Sequence, residues 1–188
     1  MRVLTKDEFK VCSQELFELI NEGNAFVYPT DTIYGLGCNA EIFEAVEKIR
    51  EIKDRPEAAF SVIAPSKNWI RMHCEINESA EAWLEKLPGP YTLILPAKDG
   101  IAENVAPGKK TLGVRMPQHW FLDVVAELGK PIVTTSANRS GDNFMTCLED
   151  MDDVVKQGVT FMFYEGEKNG APSTIVDLSE PFAKVIER

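Results

Sequence analysis

Several short segments carry side chains suited to gripping a small anionic ligand. Tyr28-Pro29-Thr30-Asp31-Thr32-Ile33-Tyr34-Gly35-Leu36-Gly37 packs hydroxyls, a carboxylate and two glycines into one turn, a combination that can bring backbone N–H groups and side-chain donors close to a ligand. The same residue types also build ordinary capped turns. Lys53-Asp54-Arg55-Pro56 places two cations where a helix should end. Cations are at home at any helix C-terminus; as a phosphate clamp, the pair would combine the planar fork of Arg with the compact charge of Lys. Pro131-Ile132-Val133-Thr134-Thr135-Ser136-Ala137-Asn138-Arg139-Ser140-Gly141 runs from an apolar strand into a polar turn, and strand ends are where ligands usually sit in open α/β sheets. Its Ser-x-Asn pattern equally suits a turn closed by side-chain to backbone bonds. Arg115 closes the strand-like run of Thr111-Leu112-Gly113-Val114-Arg115-Met116-Pro117, and hydroxyls open another at Pro172-Ser173-Thr174-Ile175-Val176-Asp177.

The elements that must position these groups follow from periodicity. Thr5 with Glu8 reads as a capping box, and Phe9, Cys12, Leu16, Leu19 and Ile20 recur at helical spacing until Gly23. Ala25 to Tyr28 is a β-prone run, and the Gly35–Gly37 region is expected to connect it to a helix carrying Phe43, Val46 and Ile49. Further β-prone runs cover Phe60 to Ala64, Tyr91 to Leu95, Leu112 to Met116, Pro131 to Thr135, Val159 to Tyr164, Thr174 to Leu178 and Ala183 to Ile186. Helical patterns fall near Ser79 to Leu87, Gln118 to Leu128 and Glu149 to Lys156. Strands and helices interleave without strict alternation, which predicts an α/β fold of mixed, α+β-like character around a mixed sheet. At 188 residues the chain fits one domain, expected over 1–188, with a core of its own.

Composition narrows the function classes. Thirty Asp and Glu against twenty Lys and Arg leave a net charge of −10, the wrong sign for gripping nucleic acid by broad counterion release. The four cysteines and two histidines lack metal-ligand spacing, so no metal site is expected. No stretch approaches the roughly 20 apolar residues that span a bilayer, nor is there a signal-peptide core, and the cytoplasm is the expected location.

The order of these motifs, together with Pro88-Gly89-Pro90-Tyr91-Thr92-Leu93-Ile94-Leu95, resembles the YrdC/Sua5 family of threonylcarbamoyl-AMP synthases over nearly the whole chain. The resemblance implies a three-layer fold with a twisted parallel/antiparallel sheet and a concave ligand cavity. By the same resemblance, Thr32, Arg115, Ser136 and Ser173 would hold L-threonine, while Arg55, Thr111, Asn138, Thr146 and the terminal Arg188 would hold ATP. Lys53 and Arg55 would be the catalytic cations, with Lys53 neutralising phosphate charge. The implied reaction joins L-threonine, bicarbonate and ATP into threonylcarbamoyl adenylate for the tRNA threonylcarbamoyl transferase machinery, with Mg2+ arriving on ATP. Two other readings keep the fold: an RNA-binding, ribosome-associated module, and a domain forming another carbamoyl adenylate. Where the family usually has an Asn-Pro-Leu run, this chain has Ala59-Phe60-Ser61, followed by Ala64. That departure either reshapes the amino-acid pocket or lets Ser61 supply a hydroxyl in compensation.

Overall fold

The computed structural model describes residues 1–98, 101 and 103–186. Its elements run β1 (Arg2–Leu4), α1 (Lys6–Asn21), β2 (Phe26–Tyr28), β3 (Gly35–Gly37), α2 (Phe43–Lys53), β4 (Ser61–Ile63), α3 (Lys67–His73) and α4 (Glu78–Leu84). They continue through β5 (Tyr91–Pro96), β6 (Thr111–Arg115), α5 (Phe121–Leu128), β7 (Ile132–Ser136), α6 (Asp153–Gly158), β8 (Phe161–Phe163), β9 (Thr174–Asp177) and β10 (Lys184–Ile186). The capping box at α1 is formed: the Thr5 N–H donates to the Glu8 carboxylate at 2.7 Å, and the Glu8 N–H returns to Thr5 Oγ1 at 3.3 Å. Two of the amide donors that a helix start leaves without partners are thereby satisfied.

Among the described residues, the ten strands form one sheet in the order β1-β8-β2-β3-β7-β4-β6-β5-β9-β10. The sheet is mixed: β1 and β2 run parallel to β8, β4 to β6 and β5 to β9, while β2·β3, β3·β7, β4·β7, β5·β6 and β9·β10 are antiparallel. Two-residue alternation sends side chains to opposite faces. Phe26, Tyr28, Phe161, Phe163 and Ile132 pack with Phe9, Leu16 and Ile20 of α1 and Phe121 and Val125 of α5. Val27, Met162, Val62, Val114 and Val133 face the other way, against apolar residues of α2, α3, α4 and α6. The sheet therefore lies between two layers of helices.

The structure departs from the sequence reading in local ways. Gly35–Gly37 is a strand paired with β2 and β7 rather than a connection to a helix. The reason lies in tertiary packing, because the Tyr28 ring lies across both glycines. An ideal Cβ on Gly35 would lie 2.7 Å from that ring, and one on Gly37 would lie 2.1 Å from the Val133 carbonyl oxygen. A short helix at Lys67–His73, started by the Ser66 hydroxyl accepting from the Trp69 N–H at 3.0 Å, is too brief to announce itself by periodicity. The final helical pattern divides into a 3-10 turn at Leu148–Asp150 and α6, which Asp152 starts by accepting from the Val154 and Val155 N–H groups.

Candidate active site

On the face shared with α1 and α5, a recess of about 390 Å3 opens over the middle strands. Its floor is built from alternate strand residues. Ser61 stands between its register partners Gly113 and Thr134, Arg115 lies two residues beyond Gly113, and Ser136 two beyond Thr134. Hydroxyls dominate the remaining polar lining. Thr92 and Ser173 share a 2.7 Å hydrogen bond across β5 and the entry to β9. Arg55, Ala59 and Phe60 close one side from the loop after α2, and Phe144 and Pro172 close others. Of the expected ligand groups, Arg55, Arg115, Ser136 and Ser173 all line this recess.

Thr32 joins them through its partners. Its Oγ1 lies 3.3 Å from Arg115 Nη2 and 3.0 Å from Thr30 Oγ1, and Thr30 Oγ1 donates to the Ile33 carbonyl at 2.7 Å. Asp31, between them, accepts from Arg115 Nη2 at 3.2 Å and from the Gln118 N–H at 3.0 Å. The guanidinium is thus aimed by a carboxylate whose own position is set by backbone, an arrangement that pre-orients a cation before any ligand arrives.

Lys53 is placed differently from Arg55. It does not line the recess but is buried at 1 % exposure. Its ammonium donates to the carbonyls of Ser136 at 2.8 Å and Asn138 at 2.6 Å, and to Asn138 Oδ1 at 2.7 Å. A lysine has three N–H donors, so these acceptors engage all of them. In this structure the Lys53 ammonium turns away from the recess, because α2 ends with Asp54 in the left-handed region (φ 52°), which parts the two cations. Lys53 turns toward the end of β7 while Arg55 reaches the recess. Burial and the neighbouring Arg55 pull the Lys53 ammonium down to about 8. Asn138 is drawn into the same knot, since its Oδ1 also accepts from Ser136 Oγ at 2.5 Å and its Nδ2 donates to the Asp142 carbonyl at 2.6 Å.

Sequence reasoning missed two supports. Arg50, at 4 % exposure, donates to the carbonyls of Arg55, Pro56, Ala58 and Asn104 and lies 4.6 Å from the Phe60 ring centroid. It holds the loop that presents Arg55. Nothing local on α2 sets it apart from the other helical cations; only its carbonyl partners, up to 55 positions away, reveal the role.

The second support is the segment leading to Ser173, strapped over the Thr30–Thr32 turn. Glu165 accepts from His119 at 2.8 Å, Trp120 Nε1 at 2.7 Å and Lys168 at 2.5 Å. Burial alone would raise its pKa, but the donors Lys168, Trp120 and His119 hold it below the usual carboxylate range. Burial lowers His119 from its usual value. Lys168 Nζ also donates to the Thr30 carbonyl at 2.8 Å. Burial pushes Tyr34 up to about 12, so its hydroxyl keeps the proton it donates to the Gly166 carbonyl at 2.6 Å. The strap passes so close to the turn that an ideal Cβ on Gly170 would lie 2.1 Å from the Thr32 carbonyl oxygen. Gly170→Ala is therefore expected to push the strap and Ser173 away from the recess. Turnover should fall about tenfold to a hundredfold, with a small change in Tm, because an ångström of misplacement can cost that much. Steady-state assays beside a thermal melt check this.

Thr111 and Thr146 lie outside the recess lining. Thr111 is four residues before Arg115 on the same strand face. Thr146 donates to Asp150 at 2.5 Å, and its carbonyl accepts from the Lys168 N–H at 2.9 Å, which anchors the strap. Arg188 lies outside the described residues. Among the described residues, no group of three or more His, Cys, Asp or Glu is placed to hold a metal ion, and no helix is long and apolar enough to cross a membrane.

Comparisons with known proteins agree with this architecture. The threonylcarbamoyl-AMP synthase of Hydrogenovibrio crunogenus is 38% identical over 143 residues, covering 70% of this chain and 75% of that one. The crystal structure of Pyrococcus abyssi Sua5 complexed with L-threonine superimposes with a TM-score of 0.87 at 30% identity, over 99% of this chain and 56% of that chain. This chain thus spans little more than half of that Sua5. The E. coli YciO structure, at 24% identity, shares the fold with a TM-score of 0.85 over 100% of this chain and 93% of its own. The Sua5/YciO/YrdC family profile, described as telomere recombination, matches residues 18–188. With the profile, the sheet and the ordered motifs all in agreement, the chain belongs to the Sua5/YciO/YrdC family.

Proposed function

We propose that this chain is a threonylcarbamoyl-AMP synthase, joining L-threonine, bicarbonate and ATP into threonylcarbamoyl adenylate with release of pyrophosphate and water. The observation that carries this reading is the convergence of Arg55 and Arg115 on one hydroxyl-lined recess in an acidic protein. The names of the relatives support it, as does the threonine bound by P. abyssi Sua5.

The chemistry sets a clear electrostatic problem. The threonine amine attacks the carbon of bicarbonate-derived carbon dioxide and loses a proton, giving a carbamate. A carbamate oxygen then attacks the α-phosphorus of ATP, and the bond from that phosphorus to the bridging oxygen breaks as pyrophosphate leaves. Two anions must approach each other. In the proposed arrangement, Arg115 takes the threonine carboxylate, beside Thr32 and the hydroxyls of Ser136 and Ser173, while Arg55 offsets phosphate charge in a partly desolvated recess. Positioning then supplies most of the rate, as is usual for transfer at phosphorus. Asn138 and Lys53 shape the turn that carries Ser136. Asp31 is already engaged by Arg115 and Gln118, which favours Mg2+ carried on phosphate oxygens over a protein cage. ATP contacts by Thr111, Thr146 and Arg188 belong to this proposal, as do a cytoplasmic location and delivery of the product to a tRNA-modifying transferase.

The test supplies purified protein with Mg2+, bicarbonate, ATP and each amino acid in turn, and follows pyrophosphate. Release that requires threonine and bicarbonate together is the expected result. Release indifferent to threonine, or none, would reject the proposal.

A further inference from the structure

Several of the hydroxyls in and beside the recess already have side-chain partners. Thr30 pairs with Thr32, Thr92 with Ser173, and Ser136 with Asn138. The Ser61 hydroxyl belongs to none of these pairs, and Ser61 lines the recess between its register partners Gly113 and Thr134. Its neighbour across the β4–β6 ladder is Gly113, and the absence of a side chain there makes room for it. An ideal Cβ on Gly113 would lie 2.3 Å from Ser61 Oγ and 3.0 Å from Ser61 Cβ. The position has a second meaning. Ser61 begins β4, directly after the loop that carries Arg55, and its strand partner Gly113 precedes Arg115 by two residues. Ser61 therefore shares the recess with both the cation assigned to phosphate and the cation assigned to the amino-acid carboxylate.

We propose that Ser61, raised through the gap left by Gly113, is a substrate-contacting residue that donates its hydroxyl proton in a hydrogen bond to a carbamate oxygen where the two halves of the substrate meet. This rests on the synthase reading above. A carbamate carries its charge on oxygens that a hydroxyl can meet without adding a further positive charge. A hydroxyl donor at that point lowers the repulsion between carbamate and phosphate where it is greatest. An unlike residue at this position would leave the amino-acid end, held by Arg115, unaltered. The expected signature is accordingly selective for the one-carbon substrate.

Two variants approach the same hydroxyl from opposite sides. Ser61→Ala removes it, and Gly113→Ala leaves it in the sequence but pushes it aside. Both are expected to lower kcat/KM for bicarbonate about tenfold to a hundredfold, the range for a hydrogen bond to a charged group. Threonine binding measured without ATP or bicarbonate should stay within about twofold, because a uniform loss would signal ground-state amino-acid binding instead. Ser61→Thr, which keeps a hydroxyl, should recover most of the loss in Ser61→Ala. Circular dichroism and thermal melts establish that each variant is folded. If wild-type protein releases pyrophosphate but folded Ser61→Ala and Gly113→Ala match it for bicarbonate, Ser61 makes no such contact. A rise confined to the threonine constant would place the hydroxyl on the amino-acid carboxylate and overturn the carbamate assignment. If wild-type protein shows no threonine-dependent release at all, the synthase reading falls first and this inference with it.

Discussion

Replacing Arg115 by alanine is expected to lower kcat/KM for threonine by about a hundredfold to a thousandfold, the scale for truncating one partner of a buried, hydrogen-bonded charge pair. Arg115 and Asp31 are only 9% and 12% exposed. Losing the guanidinium removes the proposed carboxylate anchor and also leaves Asp31 buried without its cation. The second effect lowers stability as well as activity. The two are separable with Asp31→Asn in the same chain, which removes the stranded charge. The double variant should regain part of the Tm lost by Arg115→Ala while remaining inactive. Recovery of turnover along with stability would show that Arg115 serves the fold and not the substrate.

Replacing Lys53 by methionine is expected to be nearly as damaging, for a different reason. Its ammonium ties the carbonyls of Ser136 and Asn138 and the Asn138 amide oxygen into one turn. Those acceptors are not replaced in the variant, and each buried polar group left without a partner costs about 1–3 kcal/mol. Turnover should fall about a hundredfold, because the Ser136 hydroxyl loses its placement. The pH dependence separates loss of the Lys53 charge from loss of the fold. With a folded value of about 8 against an ordinary value of 10.5, the unfolded chain binds more protons than the folded one between those limits. Stability contributed by this group therefore rises with pH across that window. Activity should move the opposite way, falling as the pH passes about 8 and the neutral amine loses one of its donors. A basic limb in the rate profile without a matching loss of Tm is the expected observation. A rate profile that tracks unfolding would reject it.

Lys53 and Arg55 also show where the reach of sequence ends. Their spacing and chemistry mark them as a pair, and the helix that ends between them was legible from its apolar period and the following proline. Their divergence depends on one left-handed residue and on a β7 turn more than eighty positions away. The Tyr28 motif repeats the lesson. Its glycines suggested close approach to a ligand, and Gly35 does line the recess, but both glycines also accommodate the Tyr28 ring. Arg50 and Glu165 carried no signal because their partners are backbone carbonyls and residues distant in the chain.

From the sequence alone came the strand and helix periods, the capping box at Thr5, the acidic balance, and an ordered set of cation and hydroxyl motifs that resembled one family. These are local properties, set by which side chains neighbour one another along the backbone. Only the tertiary structure decided that Arg55, Arg115, Ser136 and Ser173 share one recess while Lys53, Asn138 and Thr146 brace its surroundings. The physical reason is the strand order: β3, β7, β4, β6 and β5 become neighbours through long-range pairing, and no local pattern encodes which distant strand a given strand will meet.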